Sequence, residues 1–376
     1  MAWLVLTLTG SGTALGLVMA FQFLPILLLA PAGGVLADRF SKRRILFITQ
    51  STAALLALIL AVLVATGLIR IWMVYLLAAS FGLTTTLDNP TRQSFVLELV
   101  GREALRNAVT LNSTEINLTR VIGPAIAGSL IAGIGLAPCF FINAASFIAV
   151  LICLFRMRGE ELYRGEPVKR LRGQLRQGFG CVRRTPLLKH TLIMMAIVGT
   201  LTYEFQVSLP LVARFTFHGS ANSYALLTSA MGLGAVLGGL ATAGRRKIAV
   251  RGLIGAAFAF GVAVLLASLS PTLPVALLAM VLVGAGSIGF TSLSNSILQL
   301  ESPPAMRSRI MSLWTVAFLG STPIGSPVIG WIGEHSGPRW ALAVGGIAAI
   351  VAGVYGLYSL RKLPSGQTSG APAESN

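Results

Sequence analysis

A single acidic residue, Glu204, stands near the middle of a long apolar stretch, residues 192–215. A charged side chain at the centre of a bilayer costs at least about 2.5 kcal/mol, and the cost falls if the group faces a water-filled cavity or takes up a proton. A carboxyl group that gains and loses a proton as its exposure alternates is what proton-driven antiport requires. The alternative is a structural glutamate that is hydrogen-bonded across the interface between the two halves of the chain. The sequence therefore predicts Glu204 as a proton site.

A second set of polar residues shares one face of a predicted helix over residues 108–134. At about 100° per residue, one stripe of this helix contains Ser113, Asn117, Arg120, Pro124 and Gly128. A polar stripe on a membrane helix is expected to face the protein interior. We predict that Arg120 and Asn117 line a substrate path, where Arg120 binds an anionic group or pairs with a carboxylate. The alternative is an arginine that only locks helix contacts.

Glu115 lies on the same helix but projects about 140° away from Arg120. It is therefore not a simple partner of Arg120 within the helix. It is expected to meet another helix or to extend to the membrane surface, and we include it as a further candidate for the path.

The composition requires these residues to lie in a membrane. Of 376 residues, 55% are hydrophobic and 11% are charged, whereas soluble domains carry about 25% charged residues. Runs long enough to cross the hydrocarbon core of about 30 Å are predicted at residues 14–32, 45–66, 71–87, 108–134, 138–155, 192–215, 224–243, 253–269, 273–290, 310–332 and 340–360. Residues 3–9 are too short to span, and they are predicted to be the remainder of a truncated first helix.

The runs divide into two groups around a long polar stretch. We expect an all-α polytopic membrane protein with two six-helix halves, residues 1–155 and 191–361. A basic linker over residues 156–190 joins the halves, and residues 362–376 are expected to form a disordered tail.

The segment 33–44 is short, strongly basic and flanked by uncharged apolar runs. It is predicted to be the turn of a membrane hairpin, followed later by a second polar loop at residues 88–93. Lysine and arginine concentrate in the loops on this side, and the loops on the other side hold only Arg70, Arg214 and Arg339. The positive-inside rule then predicts that this side, with the linker and the C-terminus, faces the cytoplasm. The net charge of +17 is thus a topology signal, and nucleic-acid binding is not expected.

The two halves repeat short elements. Gly33-Gly34-Val35-Leu36-Ala37 is echoed by Gly238-Gly239-Leu240-Ala241, and Ile122-Gly123-Pro124 is echoed by Ile324-Gly325-Ser326-Pro327. Helices interrupted by glycine and proline at matching places in two halves are typical of transporters built on internal symmetry.

These features resemble the major facilitator superfamily, through the run Gly34-x-Leu36-Ala37-Asp38-Arg39-x-x-Lys42-Arg43-Arg44. Gly123-Pro124-x-x-x-Gly128 is similar to the antiporter element of that superfamily, and residues 88–95 and 117–124 resemble the branch of enterobactin exporters and macrolide efflux proteins. Two departures are Ser41, where the superfamily has glycine, and the absence of an arginine from the predicted fourth helix, residues 71–87.

The resemblance implies a gating motif made of Gly34, Asp38, Arg39, Arg43, Gly123 and Pro124. Asp38 is expected to hold the cytoplasmic ends of the two halves together in the outward-facing state, and the basic residues mainly to fix topology. The other interpretation is that the whole basic segment only fixes topology, but this leaves the lone acid unexplained.

Other chemistry finds no support in the sequence. There is no nucleotide-binding loop, metalloprotease helix or nucleophile elbow, and the three cysteines lack a metal-ligand spacing. We therefore expect no enzyme activity, no cofactor and no metal. The expected partners are a small-molecule substrate, protons and the lipid bilayer, with the chain acting as a monomer.

The expected function is export of a small amphipathic molecule, such as a drug or a siderophore, across the inner (plasma) membrane. Proton antiport with alternating access would drive it. A non-transporting receptor or scaffold, an inactive truncated transporter, and uptake in place of export remain open alternatives.

Overall fold

Apolar α-helices make up nearly all of the chain that the structure describes. In this computed structural model the described backbone covers residues 1–158, 163, 174–243, 250–303 and 306–360, without the side chains of residues 30–39, 102, 106, 109, 110, 113, 116, 117, 120, 174–178, 242, 243 and 308. The helices are α1 (Ala2–Thr9), α2 (Gly12–Arg39), α3 (Lys42–Ala65), α4 (Ile71–Ile134), α5 (Leu136–Arg156), α6 (Gln174–Arg184), α7 (Pro186–Leu201), α8 (Phe205–Leu211) with the π-helical turn Val212–Thr216, α9 (Ala221–Ala243), α10 (Val250–Leu269), α11 (Leu273–Glu301), α12 (Arg307–Phe318), α13 (Thr322–His335) and α14 (Pro338–Leu360).

Ten helical segments in the described ranges are long and apolar enough to cross a membrane. Their outward surfaces are apolar, as lipid contact requires: Leu240, Leu269 and Leu278 are each at least 70% exposed. Six of these segments form the second half, and a shorter apolar helix, Val121–Ile134, and the 8-residue α1 complete the first half. The predicted all-α bundle with a short first helix is confirmed.

The basic segment 33–44 is mostly helical, contrary to the expectation of a loop. Helix α2 continues to Arg39, α3 begins at Lys42, and only Phe40 and Ser41 lie between them. Ser41 has φ −57° and ψ 117°, a conformation that any residue adopts. Serine in place of the superfamily's glycine is therefore accommodated without strain. We call the end of the bundle that carries this turn the basic end, and the other end the opposite end.

The predicted polar loop at residues 88–93 is also helical, so this expectation is wrong. The fourth spanning segment runs from Ile71 to Gly101, where φ 71° and ψ −178° turn the chain into the fifth. Because the fourth helix is this long, it contains Arg92, and the expectation that it lacks an arginine is corrected. The polar residues are tolerated because Asp88 is buried and finds hydrogen-bond partners on α3.

The linker expected over residues 156–190 contains α6 and the start of α7. Val182 of α6 is buried in a cluster with Leu188, Leu298 and Ile310 at the basic end of the second half. The predicted tail, residues 362–376, lies outside the described residues, as do residues 159–162 and 164–173 of the linker.

The two halves meet closely at the opposite end. Helix α2 crosses α13 where a Cβ on Gly12 would lie 2.5 Å from the Gly330 carbonyl oxygen, and one on Gly16 would lie 2.8 Å from the Cα of Pro327. Small residues let the two backbones approach to this degree. In the same way Gly128 of α4 faces Ala225 of α9. We call the α2–α13 contact the seam.

Candidate functional site

The spanning segment Pro186–Thr216 is interrupted near its middle. Helix α7 ends at Leu201 and α8 begins at Phe205, with Thr202, Tyr203 and Glu204 between them. Side chains from this break bond to other helices: the Thr202 hydroxyl donates to the Gly345 carbonyl oxygen over 2.7 Å, and the Tyr203 hydroxyl donates to that of Ser287 over 2.9 Å. The break is therefore held by tertiary hydrogen bonds to α14 and α11.

Glu204 lies in this break and is only 3% exposed. The Ser326 hydroxyl of α13 donates a hydrogen bond to its Oε2. Thr322 lies within reach of the carboxyl group, although Oε1 has no hydrogen bond of normal geometry in the described part of the chain. An ionised carboxylate with so few partners is costly in a buried position.

A second interrupted segment supplies these partners. Helix α12 ends at Phe318 and α13 begins at Thr322, and Ser326 and Thr322 bring the first turns of α13 beside the Glu204 carboxyl group. Gly325 makes the approach possible, because a Cβ there would overlap the Thr200 carbonyl oxygen of α7. The N-terminal end of a helix favours negative charge, and discontinuous helices that meet near the bilayer midplane are typical of ion and substrate sites in transporters.

Aromatic rings seal the break from one side. The ring of Tyr203 makes an edge contact with Phe318 at 4.8 Å between centroids and lies 5.4 Å from Phe260. Phe260 is fully buried. In this conformation Glu204 is thus closed off in an apolar environment.

A cavity of about 500 Å³ lies beside the break and is lined by both halves. Its lining carries no charged side chain among the described residues, and its polar side chains are the amides of Gln22, Asn143 and Gln206, the thiol of Cys139, the hydroxyl of Tyr224 and the indole of Trp3. Gln206 faces the cavity although Glu204, two residues earlier, does not. The rest of the lining is mainly aliphatic and aromatic, and such a surface suits an amphipathic molecule.

The family model of the transmembrane secretion effectors, a major facilitator (MFS) type, matches residues 1–374. The chain belongs to this family. It is therefore a multi-pass membrane transporter of small molecules and not an enzyme.

Known relatives of this secretion-effector family member include siderophore transporters. The enterobactin exporter EntS of Citrobacter koseri is 28% identical over 364 residues, which cover 93% of this chain and 81% of that protein. The staphyloferrin A transporter of Staphylococcus aureus is 38% identical over 155 residues, which cover 40% of this chain and 39% of that protein. Among solved structures, a bacterial homologue of the human lysosomal transporter Spinster superposes with a TM-score of 0.77 at 16% identity, covering 99% of this chain and 94% of that one.

Glu204, predicted for the transport path, lies apart from Gly123 and Pro124, which were predicted for the gating motif. Glu204 is buried against α13, whereas Gly123 and Pro124 line the cavity. Glu115 is exposed and is not part of the cavity lining. The side chains of Asn117 and Arg120 lie outside the described parts of the transporter.

The predicted gating residues of the basic segment are only partly described. Gly34, Asp38 and Arg39 fall on the helical backbone of α2, and their surroundings are outside the description. Arg43 donates two hydrogen bonds of 2.8 Å to the carbonyl oxygens of Leu154 and Phe155, at the end of α5. Both contacts lie within the first half, and a basic residue at a helix C-terminus is favourable there.

Sequence reasoning missed Asp88. It is 7% exposed and accepts hydrogen bonds from the Thr49 hydroxyl at 2.7 Å, the Gln50 amide at 2.8 Å and the Arg92 guanidinium at 2.7 Å. The i, i+4 spacing of Asp88 and Arg92 was a visible signal for a helical ion pair. It was overlooked because the stretch is polar enough to resemble a loop.

We expect Asp88→Ala to lower the free energy of unfolding of the transporter by about 2 kcal/mol, because it leaves the buried Gln50 amide without its acceptor. The Thr49 hydroxyl still has a hydrogen-bond acceptor after this substitution, because it also lies 3.2 Å from the Leu46 carbonyl oxygen. Thermal unfolding in detergent, followed by circular dichroism, measures the change. Arg92→Gln is the matched control: the Arg92 side chain is 58% exposed, so its loss should cost under about 1 kcal/mol. Equal losses for the two variants would contradict this account.

A second missed acid, Glu334, lies at the opposite end. Its Oε2 accepts hydrogen bonds from the Ser11 hydroxyl at 2.7 Å and from the Thr13 backbone N–H at 2.8 Å. Glu334 belongs to α13 and these donors belong to the first turn of α2, so the pair joins the two halves beside the seam. The carboxylate is well placed at a helix N-terminus.

Proposed function

We propose that the protein exports a small amphipathic molecule, of the drug or siderophore kind, by proton antiport and alternating access. The observation that carries the proposal is Glu204: a carboxyl group near the bilayer midplane, in a break between helices, with hydroxyl partners and with no cation beside it among the described side chains. Such a group is stable there when it is protonated or when it is transiently open to water. Proton exchange at Glu204 would then accompany each change of conformation.

The cavity supports an amphipathic substrate. It is shared by the two halves and carries amide and hydroxyl groups on an otherwise apolar wall. The siderophore named for the enterobactin exporters, which are relatives over nearly the whole chain, supports the siderophore half of the proposal. Arg120 remains a proposed contact for an anionic group of the substrate, and Asn117 and Glu115 remain further candidates for the path.

The orientation of the chain is part of the proposal. The basic end, with the linker and the C-terminus, would face the cytoplasm of the inner membrane, as the positive-inside rule requires. Asp38, with Gly34, Arg39 and Arg43, would then serve the cytoplasmic gate, and the seam would close the outer side. We propose that the transporter acts as a monomer.

Transport into inverted membrane vesicles tests the proposal. An acidic lumen should drive accumulation of an iron-free catecholate siderophore or of a macrolide, supplied outside, and a protonophore should abolish it. Vesicles without the protein are the control. Lack of accumulation of both probes, or accumulation that the protonophore leaves unchanged, would refute proton-driven export of this substrate class.

We expect Gly123→Ala to reduce this transport several-fold while leaving the melting temperature unchanged or slightly higher. A Cβ at Gly123 meets nothing within 4 Å, and alanine stabilises a helix by about 1 kcal/mol relative to glycine. The transport loss would come from a methyl group in the cavity wall and from a stiffer helix before Pro124. Gly133→Ala, on the same helix and equally free of contacts, should keep both transport and stability. Normal transport by Gly123→Ala would remove Gly123 from the gating motif.

A further inference from the structure

We propose that Ser326 is a positioning residue that transmits the protonation state of Glu204 to the seam between the two halves. The proposal rests on the proposed function, in which Glu204 is the proton site. It adds Ser326, which lies on the spanning segment Arg309–His335. It also proposes that the coupling extends from Glu204 to the seam at the opposite end.

Ser326 contacts both partners at once. Its side chain is fully buried, and its hydroxyl donates to Oε2 of Glu204. Its carbonyl oxygen points at α2 of the first half, where a Cβ on Gly16 would overlap it. One residue therefore touches the carboxyl group with its side chain and the other half with its main chain.

The surroundings of Ser326 leave it little freedom to move alone. Gly325 is in backbone contact with Thr200 of α7, and the Cα of Pro327 lies 2.8 Å from the Cβ position of Gly16. Close-packed backbones shift together rather than deform. A movement of Ser326 relative to Glu204 would therefore move the first turns of α13 relative to α2.

The strength of the hydroxyl bond depends on the charge of its acceptor. A hydrogen bond to an ionised carboxylate is roughly twice as strong as one to a neutral group. When a proton from water binds to an oxygen of Glu204, an O–H bond forms on the carboxyl group and the hydrogen bond from Ser326 weakens. The closed break offers the ionised carboxylate few partners, so the neutral carboxyl group is the form that the closed seam favours, and loss of the proton loosens the seam. The Ser326 hydroxyl limits this loosening, because its bond to the carboxylate offsets part of the cost of keeping the charge in the closed break.

Other titratable groups lie away from the carboxyl group. The described groups that interact with the Glu204 carboxyl group are the hydroxyls of Ser326 and Thr322. The neighbouring Tyr203 hydroxyl donates to the Ser287 carbonyl oxygen instead. Helix α1 and the described side chains of α2 carry no charge. On the helices around the break, the charged and titratable residues lie toward the ends: Lys189, His190, Arg214, Glu301, Arg307, Arg309, Glu334, His335, Arg339, Tyr355 and Tyr358.

The distance across the opposite end, measured as a function of pH, tests the proposal. Spin labels at Thr7→Cys and Ser336→Cys, on exposed positions beside the seam, report it by double electron–electron resonance on the full chain in lipid nanodiscs. The native cysteines are replaced by serine for this purpose. The parent protein should lose the short distance as the pH rises, and Glu204→Gln should not respond.

In Ser326→Ala the loss of the short distance at high pH should be larger, with the ratio of open to closed seam raised about tenfold, and its midpoint should move to higher pH by about one unit, because the bond that stabilises the ionised carboxylate in the closed break is gone. Ser208→Ala is the matched control: Ser208 is equally buried, but its hydroxyl bonds to the backbone oxygen of Glu204 over 3.2 Å. It should follow the parent curve. Ser326→Gly removes the same hydroxyl and adds no thiol, should match the alanine variant, and carries the test if the alanine variant does not fold.

The outcomes separate the two proposals. A parent curve in Ser326→Ala or, if that variant does not fold, in Ser326→Gly overturns the role of Ser326 and leaves proton coupling at Glu204 intact. A parent protein whose distances do not change with pH overturns both.

Discussion

Glu204→Gln should lower proton-driven efflux at least tenfold and remove its dependence on pH. Glutamine has nearly the same shape and keeps an acceptor for the Ser326 hydroxyl, but it cannot bind or release a proton in the transport range. If Glu204 is the group that exchanges the driving proton, loss of its ability to bind a proton is enough to stop coupled transport. Initial rates of probe uptake into inverted vesicles at several lumenal pH values measure the effect.

Two comparisons make this experiment specific to Glu204. Exchange of labelled for unlabelled substrate, with no pH gradient, should continue in Glu204→Gln, because exchange needs no net proton transfer. Glu301→Gln is the matched substitution: Glu301 is exposed at the end of α11, and its loss should leave efflux unchanged. Efflux by Glu204→Gln with the parent rate and pH profile would remove Glu204 from the mechanism.

Gly16→Leu is the second substitution with a large expected effect. The new side chain would begin in overlap with the Ser326 carbonyl oxygen and 2.8 Å from the Cα of Pro327. Overpacking of this kind typically costs about 1–3 kcal/mol. Only the closed form of the seam would be destabilised by this amount. The ratio of molecules with an open opposite end to molecules with a closed one should therefore rise by about 5- to 150-fold.

The spin labels at residues 7 and 336 detect this shift as a loss of the short distance, and efflux should fall at least tenfold because the cycle stalls in one conformation. Gly255→Leu is the control, since a Cβ at Gly255 meets nothing within 4 Å and the residue is exposed on α10. It should keep both the distance and the transport rate. An unchanged short distance in Gly16→Leu would show that the seam tolerates separation at this point and is not the closing contact.

The sequence alone identified one buried acid, Glu204, as a site but did not identify the other, Asp88. Glu204 was recognisable because a lone carboxyl group in an apolar run has few explanations. Asp88 was hidden by its neighbours Asn89, Pro90 and Arg92, whose polarity suggested a loop. Its burial depends on Thr49 and Gln50 of α3, and nothing in the local pattern shows that those donors face it.

The interruption at Glu204 was invisible for a similar reason. Thr202 and Tyr203 are not strong helix breakers, and the helix opens there because their hydroxyls bond to Gly345 and Ser287 on other helices. The repeat that contains Gly325 and Ser326 was noticed, but its place against Glu204 could not be read from spacing. Contacts between segments distant in the chain depend on shape as well as on residue type.

The sequence by itself determined that this chain is a polytopic helical membrane protein, where its apolar segments lie, and that Glu204 needs an explanation. Those conclusions follow from the free energy of each segment in lipid, which depends on its own residues. Only the tertiary structure decided that Glu204 is closed off against Ser326, that Asp88 is satisfied by α3, and that the seam joins the halves at the opposite end. These depend on backbone approach at Gly16, Gly325 and Gly330, where the fit between two helices decides the contact and hydropathy does not.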